Sequence, residues 1–110
     1  MEIKVQKLDK DAVIKLSGRL DMSTSPDLRK AAFTLLNKGK CSNLTVDFAQ
    51  VSFVDTSGLA TLLEILVATK ERRRRLTLSG VHDKIRYLIE VNGLTGFFSI
   101  ETSAEERSHA

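Results

Sequence analysis

The sequence contains very little cysteine, proline or large aromatic side chain. Its 110 residues include one cysteine, one proline, one tyrosine and no tryptophan. The single cysteine, Cys41, excludes a disulfide within the chain and a metal site built from several cysteines. The other aromatic residues are five phenylalanines, so the chain shows no evident set of stacking platforms for nucleic acid.

Long apolar stretches are also missing. No run approaches the roughly 20 residues that a transmembrane helix needs, and no basic segment followed by an apolar one opens the chain. We therefore expect a protein without membrane insertion, located in the cytoplasm. A hydrophobic content of 42% in 110 residues is enough for one globular domain with a single core.

Residues that could support catalysis or bind a metal are scattered along the chain. His82 and His109 lie far apart, with no cysteine or acidic residue at ligand spacing, and Cys41 is not placed with any plausible catalytic base. The six glycines form no phosphate-binding loop. The sequence therefore predicts a protein that is not an enzyme and that has neither a metal site nor a cofactor.

Positive charge is concentrated in one short cluster. The net charge is +3, and Lys70 with the four arginines at 72–75 supplies much of it. The cluster follows a predicted helix, where cations favour the negative end of the helix dipole. Nucleic-acid binding is the alternative interpretation, but one cluster without a recognition motif supports it weakly. We expect no direct contact with nucleic acid.

Periodic apolar residues divide the chain into strands and helices. Alternation predicts two antiparallel strands at 3–7 and 13–16, and further strands at 44–48, 75–79 and 97–100. Helical spacing predicts three helices. The first begins near Pro26 and ends at Gly39, and the third ends at Asn92-Gly93. The second follows Gly58 and has an apolar stripe made of Leu59, Leu62, Leu63, Leu66 and Val67, widened by Ile65 and Ala68.

This order of elements predicts one α/β domain over residues 1–100. An initial strand pair followed by alternating helices and strands favours a mixed, largely parallel sheet with helical crossovers. Residues 101–110 are polar and are predicted to form a flexible C-terminal tail.

Two predicted loops, 19–25 and 49–58, are rich in Asp, Ser and Thr. Loops that leave the carboxyl ends of parallel strands collect at one edge of a sheet, where ligands and partners are commonly bound. We therefore expect the two loops to be neighbours. Asp21 and Asp55 would then share one surface with Thr56 and Ser57.

The second loop ends in Asp55-Thr56-Ser57-Gly58, directly before the second helix. Asp, Thr and Ser are all good helix N-caps, but a helix needs only one. In one interpretation, Thr56 and Ser57 cap the helix and Gly58 serves close packing. In the other, one hydroxyl faces outward as a phosphate acceptor, and the bare backbone at Gly58 lets a partner approach.

Three motifs together carry a family resemblance. They are Gly18-Arg19-Leu20-Asp21 followed by Ser25-Pro26, then Val54-Asp55-Thr56-Ser57-Gly58-Leu59, then Tyr87-Leu88-Ile89-Glu90 with Gly93-Leu94. Their order and spacing resemble those of a STAS domain over roughly residues 3–100. Within that family the chain looks most like a bacterial anti-sigma-factor antagonist.

The resemblance implies a STAS-like fold and a site that binds a partner protein. In that family the first hydroxyl residue after the motif aspartate accepts phosphate from a partner kinase. That position here is Thr56, where the best-known members carry serine, and Ser57 is the runner-up. The implied partner-binding residues are Asp21, Ser23, Asp55, Thr56, Ser57, Gly58 and Leu59.

The resemblance also implies the class of partner. An antagonist of this kind binds an anti-sigma factor with serine/threonine kinase activity and so frees a sigma factor for transcription. Phosphorylation at the Asp-Thr-Ser-Gly motif releases the antagonist, and a serine/threonine phosphatase removes the phosphate. The alternative is a STAS subunit of another assembly, such as a stressosome-like signalling complex or a lipid-transport ATPase.

Overall fold

The computed structural model of the chain describes residues 1–38 and 41–101. This part forms five strands, three α-helices and one short 3-10 helix, in an order that alternates after the first two strands. The elements are β1 (Glu2–Leu8), β2 (Asp11–Leu20), α1 (Ser25–Lys38), β3 (Asn43–Val54), α2 (Thr56–Glu71), β4 (Arg75–Ser79), α3 (Asp83–Val91), the 3-10 helix (Thr95–Phe97) and β5 (Ser99–Ile100).

The five strands form one sheet in the order β1-β2-β3-β4-β5. Strand β1 is antiparallel to β2, and each later strand is parallel to its neighbour. The prediction of a strand pair followed by a largely parallel sheet is therefore confirmed. The crossovers between parallel strands are the three helices, as the alternation of apolar periods indicates.

The core lies on one face of the sheet. Alternate residues of β2, β3 and β4 are buried there in a single cluster with residues of all three helices. Lys15 on the other face of β2 is exposed, and Thr45 and Thr77 opposite the core are half-buried. The buried residues of these three strands are Ala12, Ile14, Leu16, Leu20, Leu44, Val46, Phe48, Val51, Val54, Leu76 and Leu78.

Strand β3 is longer than the sequence pattern predicts. It continues through residues 49–54 to Val54, so the predicted loop 49–58 is wrong in its first part. The pairing of β2 with β3 shifts register between Lys15 and Ser17 and again between Gly18 and Arg19. Such bulges change which residues face the core, so burial moves from Phe48 to Val51 and the simple alternation is lost.

Helix α2 buries a slightly different stripe from the predicted one. Val67 is 54% exposed, whereas Thr69, a polar residue, is fully buried. The Thr69 hydroxyl donates to the Leu66 carbonyl within the helix, which satisfies the buried oxygen. Val67 lies off the stripe because the core contacts of the helix centre on Leu62, Ile65 and Leu66.

Among the predicted ends of the other elements, one is confirmed and one is corrected. Helix α3 ends at Val91, and Gly93 adopts a φ of 70°, which confirms the predicted glycine C-cap. The predicted last strand is shorter, because Phe97 belongs to the 3-10 helix. The predicted helix end at Gly39 and most of the predicted tail lie outside the described residues.

The arginine cluster contributes contacts that tie the end of α2 to its surroundings. Arg72 donates to the Ala68 carbonyl and to Asn37 Oδ1. Arg74 donates to the carbonyl oxygens of Arg72 and Cys41. These bonds support a structural role for the two side chains. Burial raises the pKa of the Cys41 thiol, which disfavours the reactive thiolate.

No helix within residues 1–38 and 41–101 is long and apolar enough to cross a bilayer.

Candidate functional site at the start of helix α2

Strands β2 and β3 end side by side. Leu20 and Val54, the last residues of the two strands, are paired, and the backbone amide of Asp55 donates to the Leu20 carbonyl at 3.1 Å. The turn that begins at Asp21 and the start of α2 therefore lie at the same edge of the sheet. This confirms that the two polar segments are neighbours.

Asp55 is the N-cap of helix α2. Its backbone is extended, with φ −102°, and its Oδ1 accepts a hydrogen bond from the Gly58 amide at 2.9 Å. This is the geometry by which a cap side chain satisfies a free amide of the first turn. One residue of the Asp-Thr-Ser series therefore fills the capping position completely.

Thr56 and Ser57 follow the cap as the first residues of the helix. The Thr56 side chain is exposed and that of Ser57 is half-buried. Within the described part of the chain neither hydroxyl makes a hydrogen bond, so neither caps the helix. The interpretation that these two residues serve capping is wrong. The surplus hydroxyl of Thr56 faces solvent at the positive end of the helix dipole.

Gly58 is a packing residue. It is buried, and a Cβ built on it would lie 2.8 Å from Leu20 Cγ and 2.9 Å from the Leu20 carbonyl oxygen. The close approach at this glycine is therefore made by the end of β2. The interpretation that the bare backbone admits a partner surface is corrected by this contact.

Leu59 is also removed from the surface. It is 5% exposed and belongs to the core cluster. Two of the predicted partner-binding residues, Gly58 and Leu59, are therefore buried and support the site from the core side. The side chains that reach the surface are those of Asp21, Ser23, Asp55, Thr56 and Ser57, with Asp21, Asp55 and Ser57 half-buried.

The turn beside α2 is organised around the Asp21 carboxylate. Its Oδ1 accepts hydrogen bonds from the Ser23 hydroxyl at 2.7 Å, the Ser23 amide at 3.0 Å and the Thr24 amide at 3.2 Å. The bond from the Ser23 hydroxyl, helped by the amides and Thr24, lowers the pKa of Asp21 below its usual value. Asp21 therefore carries a full negative charge at neutral pH in a fixed orientation.

Exposed apolar side chains border this polar edge, and the sequence pattern does not predict them. Met22 is 75% exposed in the turn, and Phe53 is 40% exposed near the end of β3. The Arg19 guanidinium lies 4.1 Å from the centroid of the Phe53 ring, which holds a cation and an aromatic side chain together. Phe53 falls outside the alternation of apolar residues in β3. This irregularity is the sequence signal that could have identified Phe53 as a surface residue.

A small cavity continues the site towards α3. It has a volume of about 220 Å³ and is lined by Ser52, Phe53, Val54, Lys84, Ile85, Tyr87 and Leu88. Tyr87 is 65% exposed at its rim. Exposed Tyr, Phe and Arg are the residue types that are enriched at protein interfaces. The edge thus combines fixed negative charge, a free hydroxyl and aromatic contact area.

The chemistry available at this edge is that of recognition and of accepting a group. No cluster of three His, Cys, Asp or Glu side chains suited to a metal ion occurs among the residues that the structure describes. Within residues 1–38 and 41–101, the Thr56 hydroxyl donates no hydrogen bond to a side chain that could act as its base.

Comparisons with known proteins agree with this architecture. A family model described as "Mlab, STAS domain" matches residues 3–101. The anti-sigma-B factor antagonist of Staphylococcus aureus is 28% identical over 105 residues, covering 96% of each chain.

Two solved structures illustrate the shared fold. An anti-sigma factor antagonist from Mycobacterium paratuberculosis has a TM-score of 0.82 at 22% identity, covering 96% of this chain and 88% of that chain. The Bacillus cell fate determinant SpoIIAA in its phosphorylated form has a TM-score of 0.74 at 21% identity, covering 98% of this chain and 96% of that chain. The family match spans nearly the whole chain, and the chain belongs to the STAS domain family.

Proposed function

We propose that the protein is an anti-sigma-factor antagonist that acts by binding and catalyses no reaction itself. In the unphosphorylated state it binds an anti-sigma factor that is also a serine/threonine kinase, which frees a sigma factor for transcription. Phosphorylation of Thr56 releases the complex, and a serine/threonine phosphatase restores the binding form. The relatives named as anti-sigma factor antagonists, which align over almost the whole chain, support this proposal.

The observation that carries the proposal is that Asp55 caps helix α2 and leaves the neighbouring Thr56 hydroxyl exposed. Asp55 caps α2 through the Gly58 amide, so the Thr56 hydroxyl is not needed for capping. It is exposed at the first position of the helix, where a kinase can reach it. Ser57, its runner-up, is half-buried and therefore the less accessible acceptor.

A phosphate on Thr56 is compatible with the fold. It would stand at the N-terminus of α2, where free amides and the positive end of the dipole favour an anion by about 0.3–1 kcal/mol. The adjacent Asp55 offsets part of this gain by like-charge repulsion. We therefore expect phosphorylation to leave the domain folded.

The same phosphate opposes the complex with a partner. It adds about −1.5 to −2 charges directly beside Asp55, at the sheet edge that Asp55 shares with Asp21. In water, two like unit charges about 5 Å apart repel by roughly 1 kcal/mol, and by roughly 3 kcal/mol when a partner surface replaces the water. Binding must supply this difference and also desolvate the phosphate. The affinity therefore falls by about tenfold or more.

The phosphate acceptor is predicted to be Thr56. When the protein is incubated with ATP and an extract of the cells that produce it, it should gain one phosphate. Of the described hydroxyl side chains at this edge, Thr56 alone is both exposed and free of hydrogen bonds. Peptide mass mapping locates the phosphate. The Ser57→Ala variant serves as the matched control and should be labelled like the wild type. Undiminished labelling of Thr56→Ala would contradict the assignment.

Affinity capture tests the proposed function as a whole. The immobilised protein, exposed to the native cell extract, should retain an anti-sigma factor with a kinase domain, and the phosphorylated protein should retain much less of it. Recovery of a transport ATPase or of a large signalling complex in place of an anti-sigma factor would favour the alternative family roles. Equal recovery by both forms would contradict the release mechanism.

A further inference from the structure

Strand β1 leaves one edge of the sheet without a neighbour. Among the described residues it pairs only with β2, so the backbone groups along its outer side face solvent. Its side chains Val5 and Leu8 are 46% and 69% exposed. An open strand edge with exposed apolar side chains is a template for pairing with another chain.

The open edge continues into an apolar groove. Ile3 pairs with Leu16 and Val5 with Ile14, so both β1 side chains lie on the face of the sheet that carries the core. Helix α1 only partly covers them, which leaves a cavity of about 350 Å³. The lining residues are Ile3, Val5, Asp27, Lys30, Ala31, Thr34 and Leu35.

We propose that a second copy of this chain closes the groove. In this dimer, β1 pairs antiparallel with β1 of the second copy about a twofold axis perpendicular to the sheet. The two sheets become one continuous sheet, and the unpaired backbone groups are satisfied along the paired part of the two edges. An isologous contact of this kind uses the same surface on both copies.

Charge selects one register for the pairing. Registers that keep Ile3 and Val5 of both copies on the same face, and that centre the contact on this apolar pair, place the axis at Ile3, at Lys4 or at Val5. An axis at Lys4 sets that lysine against itself, and like charges directly opposite are destabilising.

The two remaining registers also differ in the charged residues that they place opposite each other. An axis at Val5 sets Ile3 against Lys7. An axis at Ile3 sets Ile3 against itself and Glu2 against Lys4 of the second copy, and the symmetry makes this ion pair twice. The register centred on Ile3 is therefore the favoured one.

The helices fit the same arrangement. Helix α1 contacts both β1 and β2 and so lies above that strand pair. Strands are about 4.8 Å apart, so the twofold axis beside β1 brings the two copies of α1 to roughly 10 Å, the ordinary packing distance of helices. Asp27, Ala31 and Thr34 recur along the groove at helical spacing. The small side chains of Ala31 and Thr34 permit this approach.

Charge reversal tests the dimer on the full chain. Sedimentation equilibrium should show self-association of the wild type. Glu2→Lys and Lys4→Glu should each weaken it by roughly tenfold, because each variant makes two like-charge pairs. The double variant E2K/K4E should regain the wild-type dissociation constant, and a mixture of the two single variants should form a heterodimer. Glu71→Lys, a charge reversal at an exposed residue of α2, should have no effect.

Cross-linking tests the register independently. Opposite residues of antiparallel strands have Cα atoms about 4.5–5.5 Å apart, which suits a disulfide. The Ile3→Cys variant should therefore oxidise to a covalent dimer, whereas Leu8→Cys should not, and Cys41 is too deeply buried to compete. A wild type that stays monomeric up to about 1 mM, the range of weak association, overturns the proposal. Self-association that is insensitive to both single charge reversals also overturns it.

Discussion

Thr56→Glu is expected to reduce the affinity for the anti-sigma-factor partner by about tenfold while the protein stays folded. The carboxylate stands directly beside Asp55, the N-cap of α2, so a partner that excludes water from this edge must accommodate two like charges at low dielectric. A single carboxylate carries less charge than a phosphate. The variant should therefore bind more weakly than the wild type and more tightly than the phosphorylated protein.

The stability of Thr56→Glu should remain within about 1 kcal/mol of the wild type. The acidic side chain lies in the first turn of α2, where the dipole favours it by a few tenths of a kcal/mol or somewhat more. Because Asp55 holds the N-cap, the loss of the threonine removes no capping bond. A denaturant titration measures this, and the partner affinity comes from a binding titration on the same samples.

Thr56→Gln separates charge from size. The glutamine side chain has the shape of glutamate without its charge, so it should keep most of the affinity if charge is the cause of release. Equal loss of affinity in both variants would point to steric exclusion. Unchanged affinity in Thr56→Glu, or a loss explained by unfolding, would reject the release mechanism.

The sequence predicts the fold well where local signals and tertiary packing agree. Strand β4 has the predicted bounds, because Leu76 and Leu78 alternate cleanly against polar neighbours. Helix α3 ends where Asn92-Gly93 requires it. The second half of β3 escaped prediction because its pairing with β2 contains bulges, and a bulge is a property of two strands together.

The candidate site shows the same limit. The adjacency of Asp21 and Asp55 follows from the topology of a parallel sheet and could be predicted. Which of the three possible residues caps the helix could not be predicted, since it depends on which side-chain oxygen reaches the Gly58 amide. The role of Gly58 was equally inaccessible, because Leu20, the residue it contacts, lies 38 positions earlier in a different element.

Gly58→Ala is expected to lower the free energy of unfolding by about 1–3 kcal/mol, the range of overpacking in a filled core. The added methyl group would lie 2.8 Å from Leu20 Cγ and 2.9 Å from the Leu20 carbonyl oxygen, closer than any ordinary contact. Leu20 is fully buried and its carbonyl accepts the Asp55 amide, so it cannot retreat without disturbing that bond. The substitution should therefore also displace Asp55 relative to Asp21 and weaken partner binding.

The sign of this change distinguishes the two accounts of the glycine. A glycine left bare for a partner would have open space around it, and alanine there would stabilise the helix by up to about 1 kcal/mol through its better propensity. Gly96→Ala is the matched control, since among the described residues no atom beyond its two chain neighbours lies within 4 Å of the added methyl group. The free energy of unfolding of this variant should change by less than about 0.5 kcal/mol.

A double-mutant cycle with Leu20→Ala locates the strain. Truncating Leu20 alone leaves a cavity and should destabilise the protein by about 2–5 kcal/mol. In the Gly58→Ala background the same truncation removes the clash with Leu20 Cγ, so it should cost less, and the two changes should be coupled by at least about 0.5 kcal/mol. Additive effects would show that Gly58 and Leu20 do not press against each other. A Gly58→Ala variant that is more stable than the wild type would contradict the packing role and would support the interpretation that the bare backbone lets a partner approach.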